Sequence, residues 1–268
     1  MSSEQRDDGW KAGDLYEPYV GRWSRRVADA FLAWIAVPAD AVWVDVGCGT
    51  GALTEAIFTT ARPRRVSAFD PSPGFLQFAR RRVKHASVNF AVADARSLPV
   101  ATDSVDATVA GLVINFVPEP STGVREWTRI TRAGGTVAAY VWDYADRMEL
   151  MRYFWDAAVA LDPAAGALDE GRRFPMCRPE ALEELFGGSG LHDVATDAID
   201  IATAFAGFDD FWSPFLGGQG PAPAYAMSLT EERRGQLRDR LRAALPLRDD
   251  GSVQLIARAW AVRGTKPA

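Results

Sequence analysis

Residues 42–57, VWVDVGCGTGALTEAI, run from an apolar stretch into three glycines at alternate positions and then into apolar residues at helical spacing. That order reads as strand, tight turn, helix. Gly47, Gly49 and Gly51 let the backbone turn sharply and let a ligand approach the main chain closely. A strand that feeds a helix through such a turn belongs to an open sheet with crossover helices, where ligands sit beyond the carboxyl ends of the strands.

The chain continues the same alternation. VSAFD (66–70), SVNFAVAD (87–94), SVDATVAGLVI (104–114) and TVAAYVW (136–142) read as strands. Residues 52–61, the segment from Pro73 to His85 and the segment from Glu119 to Thr131 read as helices. An amphipathic helix precedes them, with Val27, Phe31, Trp34 and Ile35 on one face and Pro38 as its stop. This βαβ order predicts an α/β fold with a parallel, doubly wound sheet. Past residue 142, MELMRYFWDAAVAL (148–161) places Leu150, Tyr153, Phe154, Ala157 and Leu161 on one helical face. RPEALEELF (178–186) is a further helix, stopped near Gly190. Residues 193–205 and 252–264 alternate like strands, with an insertion between them that holds FDDFWSPFLGGQGPAPAYA (208–226) and a charged helix (231–245).

Bulk properties exclude several classes. The chain has 268 residues, a formal net charge of −5, 48% hydrophobic and 24% charged residues, as in soluble globular proteins. The negative balance argues against a nucleic-acid partner; the Arg80–Arg82 run with Lys84 reads as the solvated end of a helix. Cys48 and Cys177 make no disulfide framework, and His85 and His192 lack metal-ligand spacing, so no metal is expected. The polar N-terminus has no signal-peptide core, and no apolar stretch reaches the ~20 residues a membrane helix needs. A cytoplasmic protein without a membrane partner is expected.

The glycine turn also says something about its ligand. A triphosphate loop would end in Gly-Lys-Ser/Thr, and no lysine follows. The dinucleotide fingerprint is G-x-G-x-x-G, whereas this turn is G-x-G-x-G, preceded by Asp45. A carboxylate at the strand tip repels a pyrophosphate and favours a cation such as an ammonium or sulfonium. Asp70, 23 residues after Gly47, is placed to accept ribose hydroxyls, and Asp94 to meet an adenine amine or to cap a turn. An adenosine with a cationic tail fits these residues.

DVGCGTG, AFDPS, ADARSLPVATDSVDATVAGLVINFVPEP and RAGGTVAAYVW, in that order, resemble the class I S-adenosylmethionine-dependent methyltransferases, in particular the small-molecule branch of the ubiquinone and menaquinone biosynthesis type. The resemblance implies a Rossmann-like seven-stranded sheet, the last strand antiparallel, with helical insertions as a lid. It implies one domain over 1–268, with a cofactor-covering helix at 15–40, a cofactor-binding core at 41–143 and acceptor-pocket insertions at 144–178 and 204–250. S-adenosylmethionine would be the cofactor and S-adenosylhomocysteine the product. Gly47, Gly49 and Gly51 would meet the methionyl tail and ribose, Asp45 the ammonium, and Asp70 the ribose hydroxyls, with Pro71 beside the adenosine. Asp94 would take the adenine amine, the Ala95 amide a ring nitrogen, and Gly111 and Leu112 would line the tail. In similar enzymes an N-terminal helix supplies groups to the methionyl carboxylate; Tyr19, Arg22 and Trp23 are the candidates.

The acceptor side is expected from Trp142, Phe154, Trp155, Phe211, Trp212, Phe215 and Tyr225, which suit an apolar or aromatic acceptor unless they simply pack the insertions. Asp143 and Tyr144 are the candidates for proton handling. His85, His192 and Cys48 are expected to be structural. Two alternatives remain open: an NAD-dependent oxidoreductase on a similar sheet, and a protein that binds the cofactor without transferring a methyl group. A nucleic-acid methyltransferase is disfavoured, because VINFVPEP (113–120) lacks an Asn-Pro-Pro-Tyr motif. The protein would be a monomer or a homodimer.

Overall fold

A computed structural model describes residues 21–217 and 220–268; Tyr19 lies outside them. The chain begins with helix α1 (Arg22–Ile35), whose buried face carries Trp23, Val27, Phe31, Leu32 and Ile35. Strand β1 (Val42–Val46) runs through the glycine turn into α2 (Ala52–Ala56). Strand β2 (Arg65–Asp70), α3 (Pro73–Arg82) and β3 (Val88–Val92) follow, then β4 (Val105–Gly111), α4 (Pro120–Ile130) and β5 (Thr131–Trp142). The remaining elements are α5 (Glu149–Leu161), α6 (Pro179–Gly187), β6 (His192–Phe205), α7 (Pro221–Ser228), α8 (Glu231–Ala244) and β7 (Val253–Thr265).

The seven strands form one sheet in the order β3-β2-β1-β4-β5-β7-β6. β1 pairs in parallel with β2 and β4, β2 with β3 and β4 with β5, while β7 runs antiparallel to β5. The expected doubly wound sheet with an antiparallel last strand is therefore present. The strand order reverses between β1 and β4. Right-handed crossovers taken in opposite directions from that point put their helices on opposite faces. The central strands are buried on both faces, as a parallel sheet requires: Trp43, Val44, Ala107, Val109, Ala110, Val137 and Ala138 have no exposed surface.

Two helix boundaries differ from the sequence reading. The helix expected over 52–61 is α-helical only to Ala56; residues Ile57–Ala61 form a π turn. Thr59 Oγ1 donates to the carbonyls of Glu55 and Ala56, competing with the main-chain ladder in a stretch that also holds β-branched Ile57 and Thr60. Helix α3 ends at Arg82, not His85, because Val83 is extended. Its basic end is solvated as expected: Arg80, Arg81 and Lys84 are exposed, and Arg82 is half-buried. Arg80 donates to the Phe90 carbonyl at 2.6 Å, and Arg82 pairs with Glu55 at 2.7 Å.

The chain separates into two compact units. A sheet unit comprises 21–143, 175–201 and 258–268, and a helical unit comprises 144–174 and 202–257. In the helical unit the buried face of α5 is Leu150, Met151, Phe154, Trp155, Ala157 and Ala158; Tyr153, expected on that face, is only half-buried.

Candidate functional site

At the switch point between β1 and β4, the turn 47–51 takes three left-handed glycines, with φ of +69° at Gly47, +52° at Gly49 and +86° at Gly51. Space requires glycine at the first: a Cβ there would stand 2.4 Å from a Val113 methyl. A Cβ at Gly51 would stand 3.2 Å from Ala79 of α3 and from Val83 just past its end, whereas one at Gly49 would meet nothing within 4 Å among the described residues. Cys48 points inward to a core of Ala68, Leu76, Ala79, Val83 and Phe90. Burial pushes its thiol well above the usual range, which removes it as a nucleophile.

Two carboxyl groups flank the turn. Asp70, at the end of β2, is buried, and each of its oxygens receives one backbone N–H: Oδ2 from Gly49 at 2.9 Å and Oδ1 from Ser72 at 2.8 Å. These bonds join the turn to the β2 end and leave each oxygen a further acceptor position. Burial raises the Asp70 pKa against the two N–H bonds. Pro71, beside it, is exposed. Asp45 lies beneath the turn with no exposed surface. Its Oδ2 accepts the Thr54 hydroxyl at 2.5 Å, and its Oδ1 has no hydrogen-bond partner among the described residues. Burial, opposed by the Thr54 bond and reinforced by the Asp70 charge, raises its pKa to about 7.

Beyond β3 the chain turns at Asp94. The exposed carboxylate accepts the Arg96 backbone N–H at 2.8 Å and the Arg96 guanidinium at 3.0 and 2.7 Å. The Arg96 hydrogen bonds hold its pKa below the ordinary carboxylate value. Asp94 thus closes a turn, as the second of its expected roles required, and its carboxylate stays ionised at the strand end. Ala95 is half-buried, and its carbonyl accepts the Trp127 indole N–H at 2.9 Å.

At the β4 end, Gly111 sits under Tyr140, whose hydroxyl oxygen would be 2.5 Å from a Cβ on that residue. Leu112 follows with φ +60°, an uncommon conformation for a side-chain-bearing residue. Its N–H is fixed on the Tyr140 carbonyl at 2.8 Å. Such strain recurs where a binding site constrains the backbone. Asn115, in the 3-10 turn Ile114–Phe116, is buried, and neither end of its amide has a hydrogen-bond partner among the described residues. At the end of β5, Trp142 and Asp143 are buried, with the Asp143 N–H on the Arg258 carbonyl at 2.9 Å. In α1, the Arg22 guanidinium lies 4.5 Å from the centroid of the buried Trp23 ring.

Apart from Trp142, the aromatic residues expected at an acceptor pocket lie in the helical unit, and there they pack on one another. Phe154 stacks on Phe215 at 4.4 Å; Phe215 also meets Phe211 at 5.6 Å and Trp212 at 6.1 Å, and Trp155 meets Tyr225 at 5.8 Å. Tyr144 is buried, with its ring 5.8 Å from Phe174 and its carbonyl accepting Arg152. Arg152 forms a two-pronged pair with Asp169, at 3.0 and 2.8 Å. The neighbouring Glu170 accepts the Trp155 indole N–H, and burial raises its pKa to about 8.

The two histidines are structural in their contacts. His85 stacks on Phe58 at 4.1 Å, and exposed His192 pairs with Asp193. Among the described residues no cluster of three or more His, Cys, Asp or Glu side chains could hold a metal, and no helix is long and apolar enough to cross a membrane. The sequence reading missed Tyr140 and Trp127, since both act through neighbours set by the fold, and noticed Asn115 only as part of a motif mismatch.

Residues 44–139 match the family model described as a methyltransferase domain. Over 155 residues, 58% of the chain, it is 34% identical to 2-methyl-6-phytyl-1,4-hydroquinone methyltransferase 2 of Oryza sativa, covering 38% of that protein. Over 114 residues, 42% of the chain, it is 36% identical to demethylmenaquinone methyltransferase of Renibacterium salmoninarum, covering 45% of it. The matches thus span less than half of either relative. In fold, the chain resembles phosphoethanolamine N-methyltransferase 2 of Haemonchus contortus in complex with S-adenosyl-L-methionine, with a TM-score of 0.59 and 16% identity over 99% of this chain and 59% of that one.

Proposed function

With residues 44–139 in the methyltransferase-domain family, we propose that the chain transfers a methyl group from S-adenosylmethionine to a small-molecule acceptor. The observation that carries this reading is the joint between the glycine turn and Asp70. The Gly49 N–H on Asp70 Oδ2 holds a buried carboxylate at the β2 end with acceptor capacity to spare, in a turn without a phosphate-binding lysine. Asp70 binds the ribose hydroxyls in this reading, with Pro71 beside the adenosine. Asp94 and the Ala95 amide read the adenine. Gly47, Gly49, Gly51, Gly111 and Leu112 form the backbone wall of the methionyl tail. Asp45 compensates the ammonium from beneath the turn, and Arg22, Trp23 and Tyr19 are assigned to the carboxylate end.

The bound cofactor supplies an activated methyl group on a sulfonium, so the protein's task is alignment and exclusion of water. The Asn115 amide nitrogen and oxygen, both without partners among the described residues, can pair with a hydroxyl of the acceptor as donor and acceptor. Asp143, at the β5 end, is assigned to removal of the acceptor proton, with Tyr144 next in the chain orienting it. An aromatic or otherwise apolar acceptor is the class proposed, on the aromatic content of the segments after residue 142. The net charge of −5 supports a small-molecule partner over nucleic acid. A cytoplasmic monomer or homodimer is the matching biological form.

A second reading, cofactor binding without transfer, draws support from the interlocked aromatic residues, which fill one another's space. Incubation with labelled S-adenosylmethionine and a panel of hydroxylated aromatic acceptors separates the two. Label recovered in an acceptor, in proportion to S-adenosylhomocysteine formed, supports transfer. Saturable cofactor binding with no product across the panel supports the second reading.

A further inference from the structure

Asp94 sits on a loop that would move freely if only its own turn held it. Helix α4 instead braces that loop at several points. The Trp127 indole N–H donates to the Ala95 carbonyl at 2.9 Å, across 32 positions of sequence. Trp127 itself has no exposed surface, so the donor is fixed by the core. Glu126 Oε1 accepts the Leu98 N–H at 2.7 Å. Arg129 holds Glu126 at 2.7 and 2.8 Å and donates to the Val100 carbonyl at 3.0 Å.

The Trp127 bond reaches Asp94 through a single peptide unit. The Ala95 carbonyl and the Arg96 N–H belong to the same rigid, planar group. The indole fixes the oxygen end of that group, and its N–H end donates to Asp94 Oδ1 at 2.8 Å. Loss of the indole donor would free the peptide to rotate, and the carboxylate would lose the donor that sets its orientation. The Arg96 side chain forks onto the same carboxylate from the solvent side, where an exposed ion pair by itself holds geometry weakly.

We propose that Trp127 is a positioning residue for base recognition: through the Ala95–Arg96 peptide it aims the Asp94 carboxylate at the exocyclic amine of the adenine, with Glu126 as the second brace of the same loop. The proposal rests on the cofactor reading given above and goes beyond it, since it assigns the choice between an amino and an oxo base to a buried side chain that touches no ligand.

The test is a pair of calorimetric titrations, S-adenosylhomocysteine against S-inosylhomocysteine, on the wild type, Trp127→Phe and Glu126→Gln. The inosyl analogue carries an oxo group in place of the amine and cannot donate to Asp94. The wild type should prefer the adenosyl ligand by about tenfold or more, the discrimination one charge-assisted hydrogen bond provides. Trp127→Phe should remove most of that preference by weakening the adenosyl ligand alone, and Glu126→Gln, which keeps an acceptor oxygen but loosens the Arg129 pair, should remove a smaller part. Equal weakening of both ligands, or an unchanged ratio in folded variants, would overturn the proposal in favour of a structural tryptophan. If Trp127→Phe fails to fold, Glu126→Gln decides by the same ratio. Wild-type protein that binds neither ligand would overturn the cofactor reading itself, an outcome distinct from either.

Discussion

The sheet unit and the helical unit both bury carboxyl groups, and they treat them differently. In the helical unit Asp169 is engaged by both prongs of Arg152, and Glu170 accepts the Trp155 indole. In the sheet unit, among the described residues, Asp45 keeps one oxygen without a partner, and Asp70 is held only by main-chain N–H groups. A buried polar atom without a partner is destabilising by roughly 1–3 kcal/mol. Two carboxyl groups with capacity left over, on either side of a glycine turn at the strand reversal, are the basis of the polar ligand site proposed above. The helical unit's buried acids close onto their neighbours and hold its interior.

The largest expected effect sharpens this contrast on the helical side. Phe215 stacks on Phe154 and touches Phe211 and Trp212 with no exposed surface. Phe215→Ala should destabilise the protein by about 3–5 kcal/mol, measured by denaturant unfolding. A loss below about 1 kcal/mol would mean that these rings form a loose lining and not a packed core.

On the sheet side, Gly47→Ala and Gly49→Ala separate backbone strain from steric fit. Both positions have positive φ, which makes a side chain unfavourable by about 1–2 kcal/mol. Only at Gly47 does the new methyl also collide with Val113. Gly47→Ala should therefore lose a few kcal/mol more than Gly49→Ala, since overpacking adds about 1–3 kcal/mol. Equal melting temperatures for the two variants would break the argument.

Acid–base behaviour gives a third comparison. Folding raises Asp45 from 3.8 to about 7 and Glu170 from 4.5 to about 8, in both cases chiefly through burial. Between those limits the folded chain holds protons that the unfolded chain releases, so stability falls as pH rises from about 4 to about 8. Asp45→Asn should flatten part of that slope in melting curves taken from pH 5 to 8. An ammonium ligand favours ionised Asp45, so affinity for S-adenosylhomocysteine should rise over pH 6–8 in the wild type and much less in Asp45→Asn. A pH-independent affinity in the wild type would detach Asp45 from the ligand.

The smallest effect belongs to Glu170→Gln. With a pKa near 8 the buried group is largely uncharged at neutral pH, and glutamine keeps an oxygen for Trp155. A change within about 1 kcal/mol is expected at pH 7, as for a volume-conserving replacement. A much larger loss in thermal unfolding would mean that the charged form holds the helical unit together.

Most of the sheet was legible in the sequence, because strand and helix periods separate cleanly from residue 42 to residue 142. The Asp70 and Asp94 positions followed from the same alternation, since a strand end is a local property. Contacts between elements were not legible. Tyr140 covers Gly111 because β4 and β5 pair in one register, and Trp127 reaches Ala95 because α4 packs beside a distant loop. The π turn at 57–61 escaped because it arises from a hydroxyl competing with a carbonyl ladder, not from the spacing of apolar residues. In the insertions, FDDFWSPFLGGQGPAPAYA advertised aromatic residues but not whether they would face a ligand or one another, and composition cannot distinguish those two.

The most direct test of the central claim is titration calorimetry of the purified protein with S-adenosylhomocysteine and, separately, with NAD, on the wild type and Asp70→Ala. Two charge-assisted hydrogen bonds to the ribose, at roughly 1.5–3 kcal/mol each, predict micromolar binding of S-adenosylhomocysteine that weakens about a hundredfold or more in the variant, with no NAD binding. Binding of NAD without S-adenosylhomocysteine, or S-adenosylhomocysteine affinity unchanged in a folded Asp70→Ala, would contradict it.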